Sequence, residues 1–203
     1  MYIPKHFEVK DLAWARAFME EHRFATLVTI RDGEPFATHL PLLYDPNPEP
    51  YGTLRGHVAR ANPHWETFGA AQLAIFTGPH AYVSPNWYRS AGPAVPTWNY
   101  TAVHAYGKAE IADDPAAVRD LLVRLTDREE AGLEPRYTVD AQDPEYVDHM
   151  MRQIVAFDIP IVRLEAKAKL NQNRPPQDRE NVARTLGGEI EALMEKLSLS
   201  SRA

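Results

Sequence analysis

The 203-residue chain contains no cysteine, which excludes a disulfide framework, a thiol nucleophile and any zinc site that needs sulfur ligands. It also lacks a long apolar run. Nothing approaches the length of a membrane-spanning helix, and the start, "MYIPKHFEVKDLAW", has no apolar signal-peptide core. The expectation is a soluble, cytoplasmic protein with no membrane association. Basic charge is scarce as well: 22 Lys and Arg stand against 28 Asp and Glu, a net charge of -6. Proteins that bind DNA by neutralising phosphates usually carry a basic excess or a basic face, so direct DNA binding is doubtful. HExxH, GxSxG, GxGxxG and the P-loop are all missing. No catalytic metal, activated serine or Rossmann or Walker phosphate site is therefore expected.

What is present reads as a globular chain, 44% hydrophobic, of a size that fits one domain over residues 1–203. "DLAWARAFMEEH" spaces Leu12, Ala15, Phe18 and Met19 as a short amphipathic helix with Asp11 as its cap. "FATLVTI" and "FATHLPLLY" flank Asp32-Gly33, the dipeptide of a tight hairpin turn. "DPNPEPYG" is a loop, because its prolines remove ladder donors. "GTLRGHVA" is a strand, followed by a short helix with Asn62 as cap and Pro63 at its first position. "AQLAIFTG" and "AYVSP" are strands separated by a break at Gly78-Pro79, and residues 99–111 form a longer one. Helices open at Asp114-Pro115 and Asp143-Pro144. "AFDIPIVRLEAKAKL" is the last strand, and a helix over about residues 177–197 carries Val182, Leu186, Ile190, Leu193 and Leu197 as an apolar stripe. Six or seven strands joined by hairpins and short helices, without βαβ alternation, predict an antiparallel barrel, mainly β with peripheral helices.

Three stretches carry chemistry. In "RGHVARANPHW", Arg55, His57 and Arg60 cluster at a strand end just before a helix start, a corner that suits an anion or is simply a solvated basic turn. "KAKLNQNRPPQD" sets Lys167, Lys169 and Arg174 around the amides of Asn171, Gln172 and Asn173. This combination reads the polar edge of a heterocycle or a phosphate, and caps a strand end equally well. Residues 81–107, "AYVSPNWYRSAGPAVPTWNYTAVHAYG", crowd tryptophans and tyrosines among Ser, Asn and Thr. A flat ring system with a phosphate tail would use all three stretches, and a phosphorylated flavin is such a ligand.

The segments "MYIPKHFE", "THLPLL", "GHVARANPHW", "GPHAYVSPNWY", "VPTWNYTAVHAYG" and "KLNQNR" together resemble the PaiB-like family of FMN-binding negative transcriptional regulators, in the same order and over nearly the whole chain. The resemblance implies an FMN-binding split β-barrel, related to pyridoxamine 5′-phosphate oxidase-like proteins, that forms a homodimer with FMN at the subunit interface. It implies that Thr38, His39 and Leu40 contact the flavin ring and that Arg60 faces the phosphate with His57 beside it. Asn99, Tyr100 and Thr101 lie on the strand written Tyr-x-Ser-Val in related barrels. Thr101 and Ala102 stand where a serine is frequent, which leaves open the hydroxyl that reaches the phosphate. Lys169, Gln172 and Arg174 fall at the far side of the cofactor site, from the same subunit or its mate. The loop "NWYRSAGPAVPTW" is expected over the flavin, with Trp87, Tyr88 and Trp98 as a wall of the substrate cavity or as packing at the dimer interface. The function implied is an FMN-dependent reductase or oxidase of a small molecule. The alternatives are a ligand-responsive repressor without catalysis and a haem-binding split barrel. Neither substrate nor catalytic residue is named by the residues.

Overall fold

The computed structural model describes the backbone of residues 1–200 and the side chains of residues 1–196. Its strands are β1 (Glu8–Val9), β2 (Phe24–Arg31), β3 (Glu34–Pro41), β4 (Leu43–Asp45), β5 (Thr53–Ala59), β6 (Ala71–Val83), β7 (Thr97–Lys108), β8 (Glu110–Ala112) and β9 (Ile154–Lys169). The helices are α1 (Leu12–Glu21), α2 (Pro115–Glu129), α3 (Pro144–Met151), α4 (Pro176–Leu186) and α5 (Gly188–Ser200). The strand order is β3-β2-β6-β7-β9-β5-β4, with β1 and β8 also paired to β9. The strand pairs β2–β3, β2–β6, β4–β5, β5–β9, β1–β9 and β8–β9 are all antiparallel. The expected class, mainly β with added helices, is the one found. No helix among the described residues is long and apolar enough to cross a membrane.

Local signals act where the sequence puts them. Asp11 Oδ1 accepts from Ala13 N at 2.9 Å and opens α1. Asp114 accepts from Ala116 N at 3.1 Å, with Pro115 leading α2. Asp143 accepts from Tyr146 N at 2.9 Å to start α3. Each cap satisfies an amide that the helix cannot. Asp32 and Gly33 adopt φ 54 and 84, and β2 meets β3 from Arg31↔Glu34 to Phe24↔Pro41.

Three expectations need correction. The Gly78-Pro79 pair does not break the strand, since β6 runs through it; the pair marks a change of phase instead. Gln72, Ala74, Phe76 and Gly78 are buried before it, whereas His80 and Tyr82 are exposed after it. The long strand expected over 99–111 is two strands, β7 and β8. The single C-terminal helix is also two, α4 and α5, interrupted at Gly187 (φ 65), where paired glycines weaken the helix. Of the apolar stripe, Val182 and Ile190 are buried, and the Leu197 side chain lies outside the described residues.

The chain forms two compact units. The first comprises Met1–Phe18, Thr77–Val103 and the chain from Glu165 onward. Its core joins Val83, Ala168 and Leu170 to Val182, Ala183, Ile190 and Met194 of the last two helices. The second comprises Met19–Phe76 and His104–Leu164. There Val118, Leu121 and Leu125, spaced along one face of α2, pack on Leu43 and Ala156.

Within the second unit β7 approaches β9 too closely for a side chain at Gly107. A Cβ there would stand 2.4 Å from the Pro160 carbonyl oxygen and 2.5 Å from Ile159 Cγ2. A backbone oxygen cannot swing aside, so Gly107→Ala should lower stability by about 1–3 kcal/mol. An unchanged urea midpoint would show that the two strands separate more easily than this packing implies.

Candidate functional site

In the second unit the corner after β5 is built by polar contacts. The Asn62 side chain accepts from His64 N at 3.0 Å and donates to Thr38 Oγ1 at 3.1 Å. His64 is fully buried, 2.9 Å from Thr38 Oγ1 through Nδ1 and 2.9 Å from Gln72 Oε1 through Nε2. The Gln72 amide NH2 donates to Thr29 Oγ1 at 3.3 Å, so its oxygen is the acceptor facing His64. The network is therefore consistent with one tautomer: Nε2–H donates to Gln72, while Nδ1 accepts from the Thr38 hydroxyl. Burial pushes the His64 pKa down, outweighing the Gln72 bond, and burial likewise pushes His57 down. The His57 Nδ1 atom is buried with no partner.

Arg60 is more engaged than a free phosphate ligand would be. Its Nε donates to the Arg152 carbonyl at 2.9 Å and its Nη2 to the Ile154 carbonyl at 2.8 Å. Its own carbonyl accepts from Trp65 Nε1 at 2.9 Å. These bonds clamp the corner to the start of β9. The three β3 residues alternate, as a strand requires. Leu40 is buried, Thr38 joins the His64 network, and exposed His39 contacts Thr26 Oγ1 at 3.0 Å and stacks beside Phe24.

In the first unit Asn99 is fully buried, with Nδ2 3.5 Å from Met194 Sδ and Oδ1 unpartnered. Buried Thr101 sits 3.5 Å from the Pro79 carbonyl, while half-buried Tyr100 lies 4.9 Å below the Lys167 ammonium. Gln172 folds back on its own strand end, accepting from Leu170 N at 2.7 Å. Arg174 stacks 4.3 Å over Tyr88. Lys169 donates to the Trp98 carbonyl at 2.6 Å and to the Thr97 hydroxyl. Trp87 and Tyr88 pack against the apolar core of this unit, whereas Trp98 remains 53% exposed. Tyr82 is 44% exposed.

Asp178 is a residue that sequence reasoning missed. It is fully buried and accepts from Arg89 N at 2.7 Å, Ser90 N at 2.9 Å and the Ser90 hydroxyl, which fastens the aromatic-rich loop to α4. Burial alone would raise its pKa, but the Ser90 and Arg89 bonds and the nearby Arg174 charge hold it low. An acid in the first turn of a helix usually reads as a capping residue, so no local signal separated it. Gln72 was missed for a similar reason, because nothing in the pattern of a strand names a partner for a distant imidazole.

The buried imidazoles carry a pH dependence whose sign is fixed. Both His57 and His64 are depressed, so below an ordinary imidazole value of about 6.5 the unfolded chain binds more protons than the folded one. Their contribution to stability is complete above that pH and is lost as pH falls through the lowered folded values. Thermal melts should drop in midpoint between pH 7.5 and pH 5. His64→Leu, which strands the Gln72 oxygen, should cost about 1–3 kcal/mol at pH 7.5 and flatten part of the slope. An unaltered slope would remove His64 as its source.

Residues 1–163 match the family model described as "Putative FMN-binding domain". The chain is 39% identical over 191 residues to "Protease synthase and sporulation protein PAI 2" of Bacillus subtilis (strain 168), which spans 93% of this chain and 90% of that one. Among solved structures, the FAD and heme binding protein from Mycobacterium smegmatis superposes with a TM-score of 0.62 at 17% identity, over 89% of this chain and 80% of the other. The flavocytochrome Anf3 from Azotobacter vinelandii superposes with a TM-score of 0.59 at 14% identity, over 82% and 72%. At such identities the two structures speak to fold alone. The family match over most of the length and the near-complete alignment with PAI 2 settle the relationship: this chain belongs to the PaiB-like family of FMN-binding split-barrel proteins.

Proposed function

We propose that the chain binds FMN as a homodimer and uses it to reduce or oxidise a small molecule. The observation that carries this reading is a buried polar atom with nothing to bond, the His57 Nδ1 of β5, on the strand that leads into the Arg60 corner, in a protein of an FMN-binding family. Buried polar atoms are rarely left unanswered, because desolvation without a partner is costly. A buried imidazole nitrogen suits a ligand rich in hydroxyls. That chemistry fits FMN. β3 lies at one end of the strand order, so the outer backbone groups of Thr38, His39 and Leu40 suit the pyrimidine edge of a flavin.

In this reading Thr38, His39 and Leu40 orient the ring, His57 bonds the polar tail, and Arg60 supplies charge to the phosphate. The cofactor contributes hydride or electron transfer. A second reading, regulation by a ligand-bound dimer, is favoured by the relative named for protease synthesis and sporulation. With a net charge of -6, such regulation would run through a partner or a metabolite rather than through broad contact with DNA phosphates.

The test begins with the absorption spectrum of the protein purified without added ligand, followed by titration with FMN. A flavin spectrum, or a shifted one on titration, is expected. Colourless protein that leaves the FMN spectrum unchanged would overturn the flavin reading. Arg60→Ala should weaken FMN about tenfold more than it weakens riboflavin, since a charge-assisted phosphate bond is worth about 1.5–3 kcal/mol. Equal losses would separate Arg60 from the phosphate.

A further inference from the structure

In the first unit His80 and Tyr82 stand two apart on β6, Trp98 and Tyr100 on β7, and Lys167 and Lys169 on β9. Side chains two apart on a strand share a face, and the three strands are neighbours in the order β6-β7-β9. Cross-strand contacts join the pairs. The Trp98 ring lies 5.9 Å from Tyr82 at 75° and 6.4 Å from His80, and the Lys167 ammonium lies 4.9 Å from the Tyr100 ring. Rings and ammonium groups therefore occupy one sheet face, and Trp98, Tyr82 and His80 are its exposed part.

The two lysines have only neutral partners among the described residues. Lys167 is 5% exposed and donates to the Tyr2 carbonyl at 3.0 Å, while Lys169 donates to the Trp98 carbonyl and the Thr97 hydroxyl. The acids at adjoining positions are turned elsewhere. Glu8, opposite Lys167 across β1, lies 3.7 Å from Lys10, and Glu165 bonds the N-terminal ammonium. Burial, and then the charge of Lys167, push the Lys169 pKa down. Two like charges withdrawn from water without a counter-charge are costly, and an anion relieves both the desolvation and the repulsion.

We infer that this face binds a small planar anion, its ring against Trp98 and Tyr82 and its carboxylate or phosphate on Lys169, with Lys167 as the second charge. The inference rests on the flavin reading only in naming this anion as the substrate. The family match covers residues 1–163 and assigns no role to either lysine. Although the resemblance sets Lys169 at the far side of the cofactor, its surroundings suit the substrate. The exposed aromatic rings supply stacking area, and the half-buried ammonium supplies a charge-assisted hydrogen bond.

Isothermal titration with 2-naphthoate, 2-naphthyl phosphate and the neutral 2-naphthalenemethanol, on flavin-free and on FMN-saturated protein, tests the assignment. At least one anion should bind in both states, about tenfold or more tighter than the alcohol, and the tighter of the two identifies the headgroup. Lys169→Met and Trp98→Leu should each weaken that anion about tenfold, and Lys169→Arg should retain it. If Lys169→Met fails to fold, the exposed Trp98 position carries the test. Equal affinity for the alcohol, or an unaffected Trp98→Leu, would overturn the inference. Competition between naphthoate and FMN would also overturn it and assign the lysines to the cofactor phosphate. Protein that binds naphthoate through Lys169 yet ignores FMN would leave the anion site standing and bring down the flavin reading alone.

Discussion

The hydrogen-bond ladder of β9 is the constraint on which the other features rest. β5 runs along it from Ala59↔Ile154 to Thr53↔Pro160, β8 from Ala112↔Ala156 to Glu110↔Asp158, and β1 at Val9↔Ala166 and Glu8↔Lys167. The last β5 pair fixes where the chain turns, and the Arg60 clamp on the Arg152 and Ile154 carbonyls continues that register by side-chain bonds. At the other end of the strand the same register decides which residues share a face. A slip of one position would exchange Lys167 and Lys169 for Ala166 and Ala168, which are buried.

Polar groups in this protein are mostly answered internally, which makes the unanswered ones informative. His64 bonds through both ring nitrogens, and Asp178 is held by two backbone amides and a hydroxyl. These arrangements have structural work: one joins β3 to the turn after β5, the other joins the aromatic-rich loop to α4. His57 Nδ1 and Asn99 Oδ1 lack such answers, and the lysine pair is bonded only to neutral oxygens. The same distinction explains why Trp87 and Tyr88, packed on apolar side chains, differ in role from exposed Trp98, although all three sit within a dozen residues of one another in sequence.

Local signals read well from the sequence. Asp11 caps as its residue type suggests, and Asn62, Asp114 and Asp143 as residue type and a following proline suggest, because capping needs only a side chain and the next few amides. The Asp32-Gly33 hairpin was legible for the same reason. Gly78-Pro79 misled, since a pair that usually interrupts a ladder here only shifts which residues face inward. The helix expected over 177–197 missed its interruption at Gly187, because the apolar stripe continues in phase across it.

By itself the sequence determined the β-rich class, the positions of caps and turns, the family, and the presence of rings, cations and amides in three stretches. Each of these depends on a residue and its near neighbours, or on a succession of motifs along the chain. Only the tertiary structure decided that Arg60 bonds the Arg152 and Ile154 carbonyls, that Gln72 selects the His64 tautomer, that Asp178 holds the loop, and that Trp98 and Lys169 share one face. Those facts rest on strand register and on burial, which bring together residues far apart in the chain and leave some buried polar atoms bonded and others, His57 Nδ1 and Asn99 Oδ1, without a partner.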